Sequence, residues 1–189
     1  MTREEAYKIL TDNVKNQNLI KHMLATEATM RALYLRLNQN PNTETLEDWG
    51  IVGLLHDVDY EESRDHPEKH GIIARDILNG KLDTTFIHAI MAHNSTYTKV
   101  LPETLLDWSI SCCDELTGLI VASTLISPDK KLANINSDFV LNRFKEKNFA
   151  KGASRDKIKL CEEKLQIPLG EFIQITLSAM QQIAPSLGL

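Results

Sequence analysis

The sequence predicts an all-α protein. Three observations carry the prediction: apolar residues recur at helical spacing along most of the chain, strand-like alternation is absent, and the periodic stretches are bounded by capping residues, first-turn prolines and Asn/Gly breaks. At 189 residues, with 42% hydrophobic and 25% charged, the chain is long enough to bury a good core and reads as a single domain.

The elements follow in order. Thr2 to about Lys15 is a helix, with Thr2 and Glu5 as a capping box and Ala6, Ile9, Leu10 and Val14 as its apolar stripe. Asn16-Gln17-Asn18 breaks it. A second helix runs from about Asn18 to Leu37 on Leu19, Met23, Met30, Leu33 and Leu37, with His22 near its start. Asn38 to Thr43 is a loop, and Thr43 with Glu47 nearby starts a third helix, whose end is the nearly all-apolar run Trp49 to Leu55 followed by His56 and Asp57. Gly50 and Gly53 cost this helix stability but allow another backbone to come close. Glu61 to Asp65 is a charged loop. Pro67, capped by Asp65 or His66, begins a fourth helix through Leu78, ended by Asn79-Gly80. A fifth spans about Asp83 to His93 and leads into the polar loop 94–99. Pro102 begins a sixth, to about Leu125. After the turn 127–131 come Ser137 to about Lys147, Ser154 to Leu165, and Pro168 to about Ile183. The motif-bearing core covers about 18–125 and the C-terminal helices about 132–189.

Composition excludes some functions. The net charge of -5 argues against generic affinity for a nucleic-acid polymer or an anionic membrane. Three cysteines, Cys112, Cys113 and Cys161, give an odd count with no CxxC pair, so neither a disulfide framework nor a zinc ribbon is expected. The N-terminal residues lack the order of a signal peptide, and the apolar runs are expected to fall short of a membrane span, so a cytoplasmic location is expected.

The chemistry concentrates in polar groups on apolar helices. All six histidines, His22, His56, His66, His70, His88 and His93, fall within residues 22–93. A buried ionised aspartate costs several kcal/mol unless it is paired, hydrogen-bonded or metal-bound. Asp57 ends a greasy helix. Asp114 sits between Ser109-Ile-Ser-Cys-Cys113 and Leu116-Thr-Gly-Leu-Ile-Val121, with no Lys or Arg near it in sequence except Lys99 and Lys130 at the edges. Its partner must come from elsewhere in the fold, from a helix N-terminus, or from a metal. His93 is favoured over His88 because it stands at a helix end beside a polar loop.

His22, then His56-Asp57, then Asp114, each on a separate helix, resembles the H…HD…D signature of the HD-domain superfamily of metal-dependent phosphohydrolases. Gly53-Leu-Leu-His-Asp-Val-Asp59 is similar to its apolar-apolar-His-Asp segment, and Cys113-Asp114-Glu115-Leu116 to its final aspartate. His70-Gly71 with Ala74, and Ala89-Ile-Met-Ala-His93-Asn94, resemble the extra histidine segments of two-metal subfamilies, including YqeK-like diadenosine tetraphosphate hydrolases. The position four residues after the motif histidine, where mononuclear members carry a catalytic glutamate, is Tyr60, with Glu61 and Glu62 one and two residues late.

The resemblance implies an HD-domain helical bundle with additional C-terminal helices, and a metal-dependent phosphohydrolase that cleaves a nucleotide or related small phosphorylated substrate with a metal-activated hydroxide. It implies one ion held by His22, His56, Asp57 and Asp114, and a second shared through Asp57 with His70 and His93. Nitrogen and carboxylate ligands without thiolate suit Fe, Mn, Co, Ni or Zn, and Mg less well. For phosphate binding and leaving-group protonation the candidates are His66, Lys69, Lys99, Lys130 and Arg75, with Asp59 as a residue orienting His56 or His70. Two other readings share these ligands: a di-iron oxygenase, and a metal-bound regulatory domain without turnover.

Overall fold

A computed structural model describes residues 1–38 and 40–189, Thr43 by its backbone alone; Gln39, in the predicted 38–43 loop, lies outside the described residues. The elements are α1 (Arg3–Asn13), α2 (Gln17–Leu37), α3 (Thr43–Leu55), α4 (Tyr60–Ser63), a 3-10 turn (Pro67–Lys69), α5 (Ile72–Leu78), α6 (Thr84–His93), α7 (Ser95–Thr98), α8 (Leu105–Ile126), a second 3-10 turn (Leu132–Asn134), α9 (Ser137–Lys145), α10 (Arg155–Lys164), α11 (Leu169–Gln182) and α12 (Ala184–Leu187). The protein is all-α, with no strand among the described residues.

The caps explain most boundaries. Thr2 and Glu5 form the predicted capping box on α1, and Asn16 caps α2. Thr104 and Asp107 form a second box on α8, so that helix starts at Leu105 rather than Pro102. Three further expectations change. The charged loop after Asp57 contains the short helix α4, and the polar loop 94–99 contains the short helix α7. The fourth predicted helix is broken: His70 is extended and Gly71 adopts φ +89°, a conformation that costs glycine little, before α5 begins. Asp59 stabilises the break by accepting from the Gly71 and Ala74 N–H groups at 2.8 and 3.0 Å.

Helix α8 runs through the middle of the molecule. It packs against α2, α6 and α10, while α11 lies across α2. By length and composition α8 is apolar enough to cross a membrane, contrary to the expectation from the sequence, yet 61% of its most apolar window is buried within the protein. The apolar core is continuous from Ala6 to Leu187, so the C-terminal helices share it with the motif-bearing ones. Helices α2 and α3 come close together at Gly53, where a Cβ would lie 2.8 Å from the Thr26 carbonyl oxygen and 2.9 Å from Glu27 backbone atoms. This contact sets the α3 C-terminus, with His56 and Asp57, beside His22 on α2.

Candidate metal centre

Five segments converge. His22 comes from the second turn of α2. His56 and Asp57 follow α3, where tight turns (Val58 N–H to Leu55 O, Tyr60 N–H to Asp57 O) end the helix. His70 comes from the extended residue before α5, His93 from the last position of α6, and Asp114 from the middle of α8. Ligand atoms of His22, His56, Asp57 and Asp114 lie within 4.8 Å of one another, as do those of Asp57, His70 and His93.

The hydrogen bonds show which nitrogen each histidine offers. His56 Nδ1–H donates to the Gly53 carbonyl at 2.8 Å. His93 Nδ1–H donates to the Ile90 carbonyl. His70 Nδ1–H donates to Asp59 Oδ1 at 2.9 Å. Thr117 gives its hydroxyl proton to the Asp114 carbonyl at 2.7 Å and therefore accepts from His22 Nδ1–H at 3.2 Å. Each acceptor fixes the Nδ1–H tautomer and turns an Nε2 lone pair toward the cluster, an arrangement typical of metal-binding imidazoles.

The Nε2 atoms meet carboxylate oxygens. His22 Nε2 is 3.0 Å from Asp114 Oδ1 and 3.6 Å from Asp57 Oδ2, and His56 Nε2 is 3.4 and 3.6 Å from the same oxygens. The other oxygen of Asp57, Oδ1, lies 3.2 Å from His70 Nε2 and 3.4 Å from His93 Nε2. Asp57 thus presents one oxygen to each histidine pair. His70 and His93 bring their Nε2 atoms to 3.0 Å. With both Nδ1 protons committed elsewhere, two lone pairs face each other unless a cation or shared proton lies between them. His56 Nε2 is buried without a hydrogen-bond partner. Orphaned and opposed lone pairs beside two carboxylates fit a divalent metal.

The electrostatics of the cluster agree. Burial disfavours charge on His56, but the adjacent Asp57 and Asp114 outweigh it and lift its pKa to about 9. At His70 burial is again overcome, by Asp57 and Asp59, giving about 10. Burial would raise Asp57 and Asp114. The positive His56 and the imidazoles of His70 and His93 instead hold Asp57 well below the ordinary value, and the facing imidazoles of His22 and His56 do the same for Asp114. Without metal, protons take the place of the cation. All three cysteines are free and buried, and burial pushes Cys112 and Cys161 up to about 12, so thiolates take no part.

Other predicted site residues lie elsewhere. Asp59 has a fully buried side chain behind His70 and accepts from that imidazole rather than facing the opening. His66 is exposed and faces Glu68. Lys69, Lys99 and Lys130 are exposed surface residues; Lys99 Nζ donates to the Thr96 carbonyl, and none of the four lines the pocket over the cluster. Arg75 pairs with Asp76 at the surface. The exclusion of charge by apolar neighbours is a local pattern, whereas the direction of a loop side chain depends on the whole fold. His88 sits 3.3 Å from Asp107, away from the cluster. Glu61 accepts from the backbone N–H groups of Lys15 and Asn16 and so joins the α1–α2 junction to α4.

That pocket, about 360 Å³, is lined by His22, Asp57, His70, His93 and Asp114 together with Tyr60, Asn94, Glu115 and Lys157. Lys157, on α10, was not anticipated. Its Nζ donates to the His93 carbonyl at 3.3 Å and pairs with Glu115 at 3.2 Å. Only Glu115, adjacent to Asp114, offered a sequence clue to it. Asn94 donates to the His70 carbonyl at 3.0 Å. Comparison with known protein families, curated proteins and solved structures returns no match.

Proposed function

We propose that this protein is a metal-dependent phosphohydrolase of HD-domain type that holds two divalent ions and cleaves a nucleotide or related phosphoester. The observation that carries the reading is Asp57, whose two oxygens face two separate histidine pairs. His22, His56, Asp57 and Asp114 would hold one ion, and Asp57, His70 and His93 the other, with Fe, Mn, Co, Ni or Zn suited to these donors better than Mg. When bound, such ions acidify a water and stabilise charge on phosphoryl oxygens.

The residues of the chain supply the rest. Gly53, Ile90, Asp59 and Thr117 hold the Nδ1–H groups of the four imidazoles and so fix their direction, with Nε2 turned to the cluster. Lys157 has three N–H donors and uses two on Glu115 and the His93 carbonyl, leaving one for a phosphoryl oxygen. In this reading Lys157, rather than Lys69, Lys99 or Lys130, meets the phosphate. Glu115 restrains Lys157 at the rim.

The test is metal content after purification without added metal, followed by phosphate release from a phosphoester panel under air and under nitrogen. Two ions per chain and oxygen-independent phosphate release are expected, with both lost in Asp57→Ala. Retention of metal and hydrolysis by Asp57→Ala overturns the assignment. Turnover that requires oxygen selects the di-iron oxygenase reading, and full metal content with no turnover selects the regulatory one.

A further inference from the structure

Gly118 has no packing reason to be glycine. It lies in the interior of the 22-residue helix α8, where glycine costs stability relative to alanine. A Cβ there meets nothing within 4 Å. What its missing side chain leaves open is a trough. Gly118, with His22, Asp114, Glu115, Gly152 and Ala153, lines a cavity of about 360 Å³ that shares His22, Asp114, Glu115 and Gly152 with the pocket over the metal centre. Gly118 and His22 also line a cavity of about 450 Å³ with Lys21, Val121, Leu125 and Leu187.

Asp114, Gly118, Val121 and Leu125 are spaced by four, three and four residues, which places them in one stripe along α8. At about 1.5 Å rise per residue the stripe extends roughly 16 Å from the metal-binding carboxylate. It passes from Asp114 and Glu115 to an apolar floor on which Leu125 is 49% exposed. Lys21 lines that far cavity and brings a cationic group to it. An open mid-helix glycine, two cavities continuous with the ligand cluster and an exposed apolar far end together describe a site built for something longer than phosphate.

We propose that this trough is the subsite for the organic part of the phosphoester, a nucleoside-sized group with an aromatic or apolar body, and that Gly118 sets the size it admits. The proposal rests on the phosphohydrolase reading for the placement of the phosphoryl group at the ions. A leucine at 118 projects into the trough, leaves the helix backbone unhindered and favours helix, so the fold is retained.

The experiment is calorimetric binding of adenosine monophosphate and of inorganic phosphate to the manganese-loaded wild type, Gly118→Leu and Leu125→Asn, with metal content and thermal midpoint measured on each. Gly118→Leu should weaken nucleoside monophosphate binding on the order of tenfold or more, with Leu125→Asn weakening it in the same direction. Phosphate binding and metal content should not change, and the Gly118→Leu midpoint should not fall. A change of less than about twofold in both variants, equal loss of phosphate binding, or no nucleoside monophosphate binding by the wild type overturns the proposal. If the selective loss occurs but wild type hydrolyses no phosphoester, the subsite stands and the hydrolytic reading falls. If hydrolysis occurs without the selective loss, the reverse holds.

Discussion

Asp59→Ala removes one buried carboxylate that serves two structures at once. Its side chain is fully buried and accepts from His70 Nδ1–H at 2.9 Å, the Gly71 N–H at 2.8 Å and the Ala74 N–H at 3.0 Å. Each buried donor stranded without a partner costs about 1–3 kcal/mol. Three of them set an upper range well above the loss expected, because water admitted to the vacated space re-pairs some donors; breaking a buried charged pair costs about 3–5 kcal/mol, and we expect about 3. The second effect is on metal. With His70 free to turn, affinity at the His70–His93 position should fall about 10–100-fold, while His22, His56 and Asp114 keep theirs. Asp59→Asn separates the two effects. It keeps the volume and one accepting oxygen but turns an NH2 group toward donors, so it should cost less stability while still loosening His70. Urea unfolding of the metal-free variants and metal titration of the folded ones measure both quantities. An alanine variant with the wild-type urea midpoint and full metal content at the second position would refute the reasoning.

Three other outcomes are expected. Gly53→Ala places a Cβ against the α2 backbone at 2.8–2.9 Å, whereas the atoms nearest a Cβ in Gly50→Ala belong to the side-chain guanidinium of Arg31 at 2.5–2.6 Å, which can shift at the expense of its pairs with Glu27 and Glu47 where backbone cannot; overpacking of about 1–3 kcal/mol less about 1 gained in helix propensity makes Gly53→Ala the more damaging of the two by urea midpoint, and equal midpoints would contradict the tight α2–α3 contact. In the metal-free protein His56 and His70 are raised to about 9 and 10 from 6.5, so their stabilisation is complete below about pH 6.5 and disappears as pH climbs through 9–10, while the depressed Asp57 and Asp114 contribute above about pH 4 and lose it in acid. Metal binding needs these imidazoles deprotonated, so the rise in thermal midpoint on adding zinc should grow from pH 5.5 to 8 with protons released; a constant rise is the contrary result. Glu61→Ala removes two accepted backbone hydrogen bonds at 2.9 and 2.6 Å and should cost about 1–2 kcal/mol in the same unfolding assay without changing metal content; lost metal would show that Glu61 acts in the site after all.

Much of this protein was legible in the sequence because helices are local objects. Apolar periodicity and side-chain caps such as Thr2 depend on residues a turn apart, so α1, α2, α6, α10 and α11 could be placed closely from the chain alone. Polar groups on apolar helices drew attention to Asp57 and Asp114, and the resemblance to the H…HD…D signature and its extra histidine segments added His22, His56, His70 and His93; the fold brings all six together. Where long-range contacts decide, local pattern stops. The break at His70–Gly71 is held by Asp59, eleven and twelve residues away, so a continuous helix from Pro67 was the natural but incorrect expectation. Only packing could turn each Nε2 inward, divide the oxygens of Asp57 between two histidine pairs, and set Lys157 of α10 against His93 of α6. Sequence determined which residues have chemistry to offer. Tertiary structure decided which atoms meet, because a bond between residues 64 positions apart leaves no trace in the periodicity of either helix.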